Sequence, residues 1–261
     1  MMRSPALENM MKALVRGAIA LIALTAPAFA QPWIGHEVIY DAPTRVNLAG
    51  RPVTADIALH ADMNAAAKRI LRVALVTDVT TFIDQTEADL ENWIATKQAA
   101  CGERWSAGEP LIDFPQGAIR FALELEFQYW TCGVDGKAKP SRVARETGRV
   151  DVTLIPYVEA GKLQARLGNF SIDNRTGVSK YLPLETVARA ALDQELVKLN
   201  KNRKFFRAPK PFADLGYAYE SMKGEKKPDG RVIITARYRA AGKADRYPVL
   251  AAAMREAGIS Q

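Results

Sequence analysis

Histidine and cysteine are scarce in this chain, with two of each in 261 residues. That scarcity leaves little material for a metal site built on His and Cys clusters, and it excludes a disulfide-dense scaffold. His36 precedes Glu37 and His60 stands two residues before Asp62. No further His, Cys or acid lies at ligand spacing, so both read as solvated surface histidines. Glycine-rich phosphate loops and dinucleotide fingerprints are missing. So is the G-x-S-x-G elbow of a nucleophilic serine. Glu124 and Glu126 share one strand face about 7 Å apart by the strand repeat. Paired carboxylates can use such a spacing, but a solvated outer face is its ordinary setting. The chain therefore reads as not an enzyme, with no catalytic residue, no metal ligand and no cofactor.

Long apolar runs are also lacking. Gly17 to Leu24 is uninterrupted, but it is shorter than the roughly 20 residues that span a bilayer. It follows Lys12 and Arg16 and precedes Ala28-Phe29-Ala30, small residues at the positions a signal peptidase reads. Residues 1–30 are expected to be a cleavable secretory signal. Residues 31–261, starting at Gln31, are expected to form a single α+β domain that works in the periplasm or outside the cell. In that compartment Cys101 and Cys132 are expected to be bonded to each other. Such a bridge contributes on the order of 3 kcal/mol to a fold that already has a core.

The formal charge is +7 and is spread along the chain. Its densest run is Lys198, Lys201, Arg203, Lys204, Arg207 and Lys210, beside Phe205 and Phe206. It reads as contact with anionic lipid headgroups or another acidic partner, a membrane surface or an envelope protein, or as a solvated helix end whose cations complement the last-turn dipole. Nucleic acid is a poor partner, because no binding module is present.

What the chain has in quantity is alternation. Val53, Ala55, Ile57, Leu59, Ala61 and Met63 recur at every second position, the signature of a half-buried strand. Leu71, Val73, Leu75 and Val79 repeat it after a turn at 64–68, which predicts an antiparallel hairpin. Val38 to Leu48 is a weaker strand with Pro43 inside it. Ile119 to Tyr129 alternates most clearly, with Arg120, Glu124, Glu126 and Gln128 on the opposite face. Gly148 to Pro156 and Lys162 to Asp173 form a hairpin through Glu159-Ala160-Gly161-Lys162. The apolar parity shifts at Gly168, which predicts a bulge there.

Two stretches follow the helical period instead. Phe82, Ile83, Thr86, Leu90, Trp93, Ile94, Lys97 and Cys101 predict a helix over about 82–100. Leu184, Val187, Ala188, Ala191, Leu192, Leu196 and Leu199 predict another over about 183–201, with Pro183 at its start. A last hairpin is read from Leu215, Tyr217 and Tyr219 to Val232–Tyr238, with its turn over 223–230. A short helix closes the chain from Tyr247 to Ala257. The order of elements is α+β with antiparallel pairing. Long twisted strands and two amphipathic helices together predict one long curved antiparallel sheet wrapped around both helices.

The segments VDVTLIPYVEAGKLQARLGNFSIDN and GVSKYLPLETVARAALDQELVKLNKNRKFFRAP carry a resemblance. A pair of long strands, a short gap and a Pro- and Leu-rich helix, followed by a return strand, resembles small bacterial members of the tubular lipid-binding (TULIP) superfamily. The resemblance extends over roughly Phe82 to Tyr238. The extra strand pair before the first helix and the Cys pair depart from it. It implies a lipid or other long apolar ligand held in a groove between sheet and helix. The lining expected from the apolar faces is Phe121, Leu123, Leu125 and Phe127 from one strand, Val152 and Leu154 from the next, and Val187, Leu192 and Leu196 from the helix. The alternative is an envelope interaction or structural module in which the same residues close into a dry core.

Overall fold

The computed structural model describes residues 36–48, 51–132, 139–202 and 208–257. The expected secretory signal and the start at Gln31 lie outside the described residues, as do Arg203, Lys204, Phe205, Phe206 and Arg207 of the basic run.

Among the described residues ten strands dominate and divide into two antiparallel sheets. The first sheet holds β1 (His36–Leu48), β2 (Arg51–Asp62), β3 (Ile70–Asp78), β9 (Ala218–Lys226) and β10 (Val232–Ala241) in the order β1-β2-β3-β10-β9. The second holds β4 (Gly102–Ala107), β6 (Ile119–Thr131), β7 (Ser141–Glu159) and β8 (Lys162–Asp173) in the order β4-β6-β7-β8, with β5 (Leu111–Asp113) also on β6. The α-helices among the described residues are α1 (Met63–Ala67), α2 (Thr80–Ala95), α3 (Leu184–Lys201), α4 (Lys210–Asp214) and α5 (Arg246–Ala257).

The mixed, antiparallel α+β class is as expected, but the strands do not make one sheet. The second sheet is an insertion between β3 and β9. When the chain returns, β10 pairs with β3, from Ile233 opposite Asp78 to Ala241 opposite Ile70. That pairing satisfies the free edge of β3 and closes the first sheet as its own unit. The two sheets meet where β9 passes the β7–β8 turn, and the Tyr219 N–H donates to the Gly161 carbonyl at 3.1 Å. Gly161 has φ +73, and a Cβ there would lie 2.9 Å from the Cβ of Ala218. Only glycine accepts both that backbone region and that approach.

The alternating residues of β2 all point inward. Val53, Ala55, Ile57, Leu59 and Ala61 are buried, together with Leu71, Val73 and Leu75 of β3 and Ile234, Ala236 and Tyr238 of β10. This face is roofed by Phe212 of α4 and by Tyr247, Leu250, Ala251 and Met254 of α5, all buried in the same core. Phe212 stacks on Tyr238 with ring centroids 4.3 Å apart. The Tyr247 hydroxyl reaches the backbone carbonyl of Asp62 at 2.9 Å, which ties α5 to the sheet.

Several sequence expectations shift at their edges. The turn at 64–68 is the one-turn helix α1, whose start is capped by Asp62 accepting from the Ala65 N–H at 2.9 Å. Helix α2 ends at Ala95, so Lys97 and Cys101 fall beyond it, and Gln98 instead bridges to Arg104. Strand β9 begins at Ala218, leaving Leu215 and Tyr217 ahead of it and moving the hairpin turn to 227–231. The bulge expected at Gly168 is present. Val152 pairs with Phe170 and Leu154 with Leu167, so β8 carries one extra residue at that point. A Cβ on Gly168 would lie 3.0 Å from Ile155 Cδ1 and 3.2 Å from the Thr153 carbonyl. The disulfide joins Cys101 to Cys132 and closes the far end of the β4–β6 ladder, beside Gly102 opposite Trp130.

Candidate functional site

The inner face of the second sheet is set by cross-strand register. Phe121 stands opposite Val152, Leu123 opposite Val150, Leu125 opposite Gly148 and Phe127 opposite Glu146. On the other side of β6, Trp105 stands opposite Phe127 and Ala107 opposite Leu125. Because cross-strand partners share a face, the apolar members of these pairs form one strip along β6, with Glu146 at its Phe127 end. Trp105 packs on Phe127 with ring centroids 4.9 Å apart. Leu125 is flanked by two small residues, Ala107 and Gly148, and the space over Gly148 is taken by Ile172 and Arg175, whose Cγ2 and Cγ lie 3.5 and 3.8 Å from where a Cβ would stand.

The nine residues expected to line a groove fall into three groups. Leu154, Leu192 and Leu196 belong to the main core, packed with Leu163, Ala165 and Phe170. Phe121, Leu125 and Phe127 are half-buried, Val152 is half-buried and packed against that core, and Leu123 is buried outside it. Val187 is 63% exposed, on the far side of α3 from the buried Ala188, Leu192 and Leu196. The structure therefore joins β6 and β7 in one strip, continues it into the core at α3, and leaves Val187 out.

The placement of α3 explains the partial cover. Asn200 brackets the backbone of Ala165, accepting from its N–H at 3.0 Å and donating to its carbonyl at 2.7 Å. Arg189 donates to the Gly168 carbonyl at 3.4 Å. The helix thus lies along the free edge of β8 and answers the unpaired backbone groups there. On the β4 side, Leu90 and Ile94 of α2 are half-buried.

Trp105, Ala107 and Ile112 were not legible as part of this face. Strands β4 and β5 are six and three residues long. Such short runs show no period of their own, and only the ladder to β6 identifies them. Trp105 between Arg104 and Ser106 was the one available signal.

The opposite face of β6 and β7 is ionic. Arg120 pairs with Asp151 at 2.5 Å and lies 3.7 Å from Asp113. Arg145 pairs with Glu126 at 2.7 Å and Arg149 with Glu124 at 3.5 Å. The hydrogen bond from Arg145 pulls the Glu126 carboxyl below its ordinary range. Glu124 and Glu126 are thus two rungs of a charge ladder, each facing an arginine on β7.

The two histidines are less exposed than the sequence suggests. His36 lies opposite Asp62 and Val38 opposite His60, so both histidines share the outer face of the first sheet. Burial lowers the pKa of each. His36 enters a cavity of about 300 Å³ with Asp62, Arg72, Glu220, Ser221 and Arg237. Charges in its wall meet one another: Arg72 pairs with Glu220 at 2.7 Å, and His36 lies 3.9 Å from Asp62. Among the described residues no group of three or more His, Cys, Asp or Glu could hold a metal ion. No described helix is long and apolar enough to cross a membrane.

No family model and no curated protein matches the chain. One solved structure, that of a lipopolysaccharide binding protein, is similar over 69% of this chain and 32% of its own, at 11% identity and a TM-score of 0.28. At that score the likeness does not define a common fold.

Proposed function

We propose that this chain is an exported periplasmic or secreted protein, without catalytic activity, that holds a lipid or other long apolar molecule on the inner face of the second sheet. The observation that carries the reading is the strip itself. Phe121, Leu125, Phe127 and Val152 are aligned in register yet left half-buried. A strand face of this composition ordinarily closes into a dry core, as the first sheet does. Here α3 follows the edge of β8, and Phe121, Leu125 and Phe127, on either side of the buried Leu123, keep apolar surface to offer. About ten buried CH₂ groups at roughly 0.8 kcal/mol each would gain on the order of 8 kcal/mol before the costs of association. That scale suits an acyl chain. A TULIP-like arrangement, with ligand between sheet and helix, is the form of binding this reading adopts.

Native mass spectrometry of the protein purified from the exported fraction tests it. A co-purifying lipid is expected, released on denaturation and identified in the extract. In Leu125→Trp the indole should spread over the half-buried strip and expel the lipid at little cost in stability. A clean apo mass for wild type, with a sharp drop in melting temperature for Leu125→Trp, would sink the proposal. It would favour an interaction module with a closed core.

A further inference from the structure

Between β8 and α3 the chain runs through a strap that turns Tyr181 and Leu182 toward the outside. Tyr181 is 86% exposed and Leu182 is 39% exposed. Val187, one turn into α3, is exposed as well.

The strap is not a slack loop. Its Thr176 N–H donates to the Thr147 carbonyl at 3.1 Å, and the Thr147 N–H donates to Thr176 Oγ1 at 2.7 Å. Arg175 donates to the Leu182 carbonyl at 3.0 Å, and the Val187 N–H donates to the Pro183 carbonyl at 3.2 Å. Gly177 takes φ +64 close over β7, where a Cβ would lie 3.0 Å from Glu146 Cγ. A slack loop can fold its apolar side chains inward. A braced one holds them in water until something outside covers them.

The flanking charge identifies the kind of surface that would cover them. Over residues 175–189 the cations are Arg175, Lys180 and Arg189, and the one carboxylate is Glu185. Tyrosine and leucine beside Lys and Arg suit the headgroup boundary of a membrane, where the ring sits amphipathically and the cations meet phosphates.

We infer that the strap over residues 175–189 is a docking surface for a bilayer containing anionic lipid, with Tyr181 and Leu182 entering the headgroup boundary and Lys180 and Arg189 meeting the phosphates. The inference deepens the lipid-binding proposal and rests on it for its purpose, since an acyl chain must be taken from, or given to, a membrane. It moves the contact away from the basic run that the sequence singles out. That run begins at Lys198, toward the other end of α3 and about 21 Å from Leu184 at 1.5 Å per residue. There Lys198 pairs with Glu195 and Lys210 with Asp214.

The test is flotation of the exported protein with two kinds of vesicle, pure phosphatidylcholine and phosphatidylcholine with about one third phosphatidylglycerol, at low and high salt. Wild type is expected to float with the anionic vesicles and far less with the neutral ones. Tyr181→Ser with Leu182→Ser should reduce flotation about tenfold or more, because the inserted apolar area is lost. Tyr181→Phe with Leu182→Met should retain it, which separates lost insertion from lost folding. Lys180→Glu should weaken flotation at low salt and much less at high salt. Equal flotation of wild type and the double serine variant, or none for wild type with either vesicle, would overturn the inference. Mass spectrometry of the double serine variant keeps the two proposals apart. Retained lipid with lost flotation supports both. Flotation by a wild type that carries no extractable lipid upholds docking and removes the ligand.

Discussion

The two inner faces of this protein are written in the same period and end in different states. On the first sheet, Val53 to Ala61, Leu71 to Leu75 and Ile234 to Tyr238 are buried. On the second, Phe121, Leu125, Phe127 and Val152 remain half-buried. Apolar alternation is as regular in β6 as in β2, so hydrophobicity along the strand does not separate them. Cover does. Helices α4 and α5 and the start of α2 contribute Phe212, Tyr247, Leu250, Met254 and Phe82 to the core on the first sheet. Helix α3 lies along an edge of the second. An amphipathic strand commits a face to burial, and the elements that return to it decide how much water is excluded.

The sharpest break in that comparison is Phe212→Ala. Phe212 is fully buried and stacked on Tyr238. Its loss should cost about 3–5 kcal/mol, the range for a large aromatic in a closed core, measured by chemical denaturation. Removing the disulfide with Cys101→Ser and Cys132→Ser comes next. For a sequence separation of 31, the chain-entropy estimate is about 3–4 kcal/mol. Opening of the β4–β6 end ahead of the first sheet, followed by hydrogen exchange, is the expected signature. Thiol titration of the denatured, unreduced wild type should find no free thiol.

Gly161→Val probes the joint between the sheets. Its Cβ would meet Ala218 at 2.9 Å with φ at +73. A loss of about 1–3 kcal/mol is expected, since left-handed backbone and overpacking both oppose a branched side chain. Leu125→Trp on the open strip should cost less than about 1 kcal/mol in the lipid-free protein, below the 1–3 kcal/mol of an overpacked closed core. A cost as large as that of Gly161→Val would show the second face to be as closed as the first.

The smallest effects are those of pH, and both fall on the first sheet. His36 and His60 have pKa values lowered from 6.5, chiefly by burial. The unfolded chain therefore takes up protons first. Their contribution is present above pH 6.5 and is lost as pH falls through the lowered values. Tyr219 is pushed up to about 12 by burial, from 10.0. Its contribution is present below pH 10 and is lost as pH rises toward about 12. Denaturation midpoints across pH should fall at both ends. His60→Gln should flatten the acid side and leave the strip on the second sheet untouched.

Much of this was legible in the chain alone. The faces of β2, β3, β6 and β8 follow from a period of two, which is local and needs no partner. The bulge at Gly168 follows from a break in that period, and the Cys101–Cys132 bond from scarcity. Strand β7 was legible only from Gly148 onward, because Arg142, Arg145 and Glu146 interrupt its apolar alternation. Its ladder with β6 carries it back to Ser141. What only the tertiary structure decided is which strand meets which. Pairing of β10 with β3 spans more than 150 residues, and no local pattern distinguishes that edge from the edge of β8. The division into two sheets, the bracket of Asn200 on Ala165, the exposure of Val187 and the half-open strip on β6 all descend from that choice. Alternation sets the direction of a side chain. Burial depends on what folds back over it, and that is a property of the whole chain.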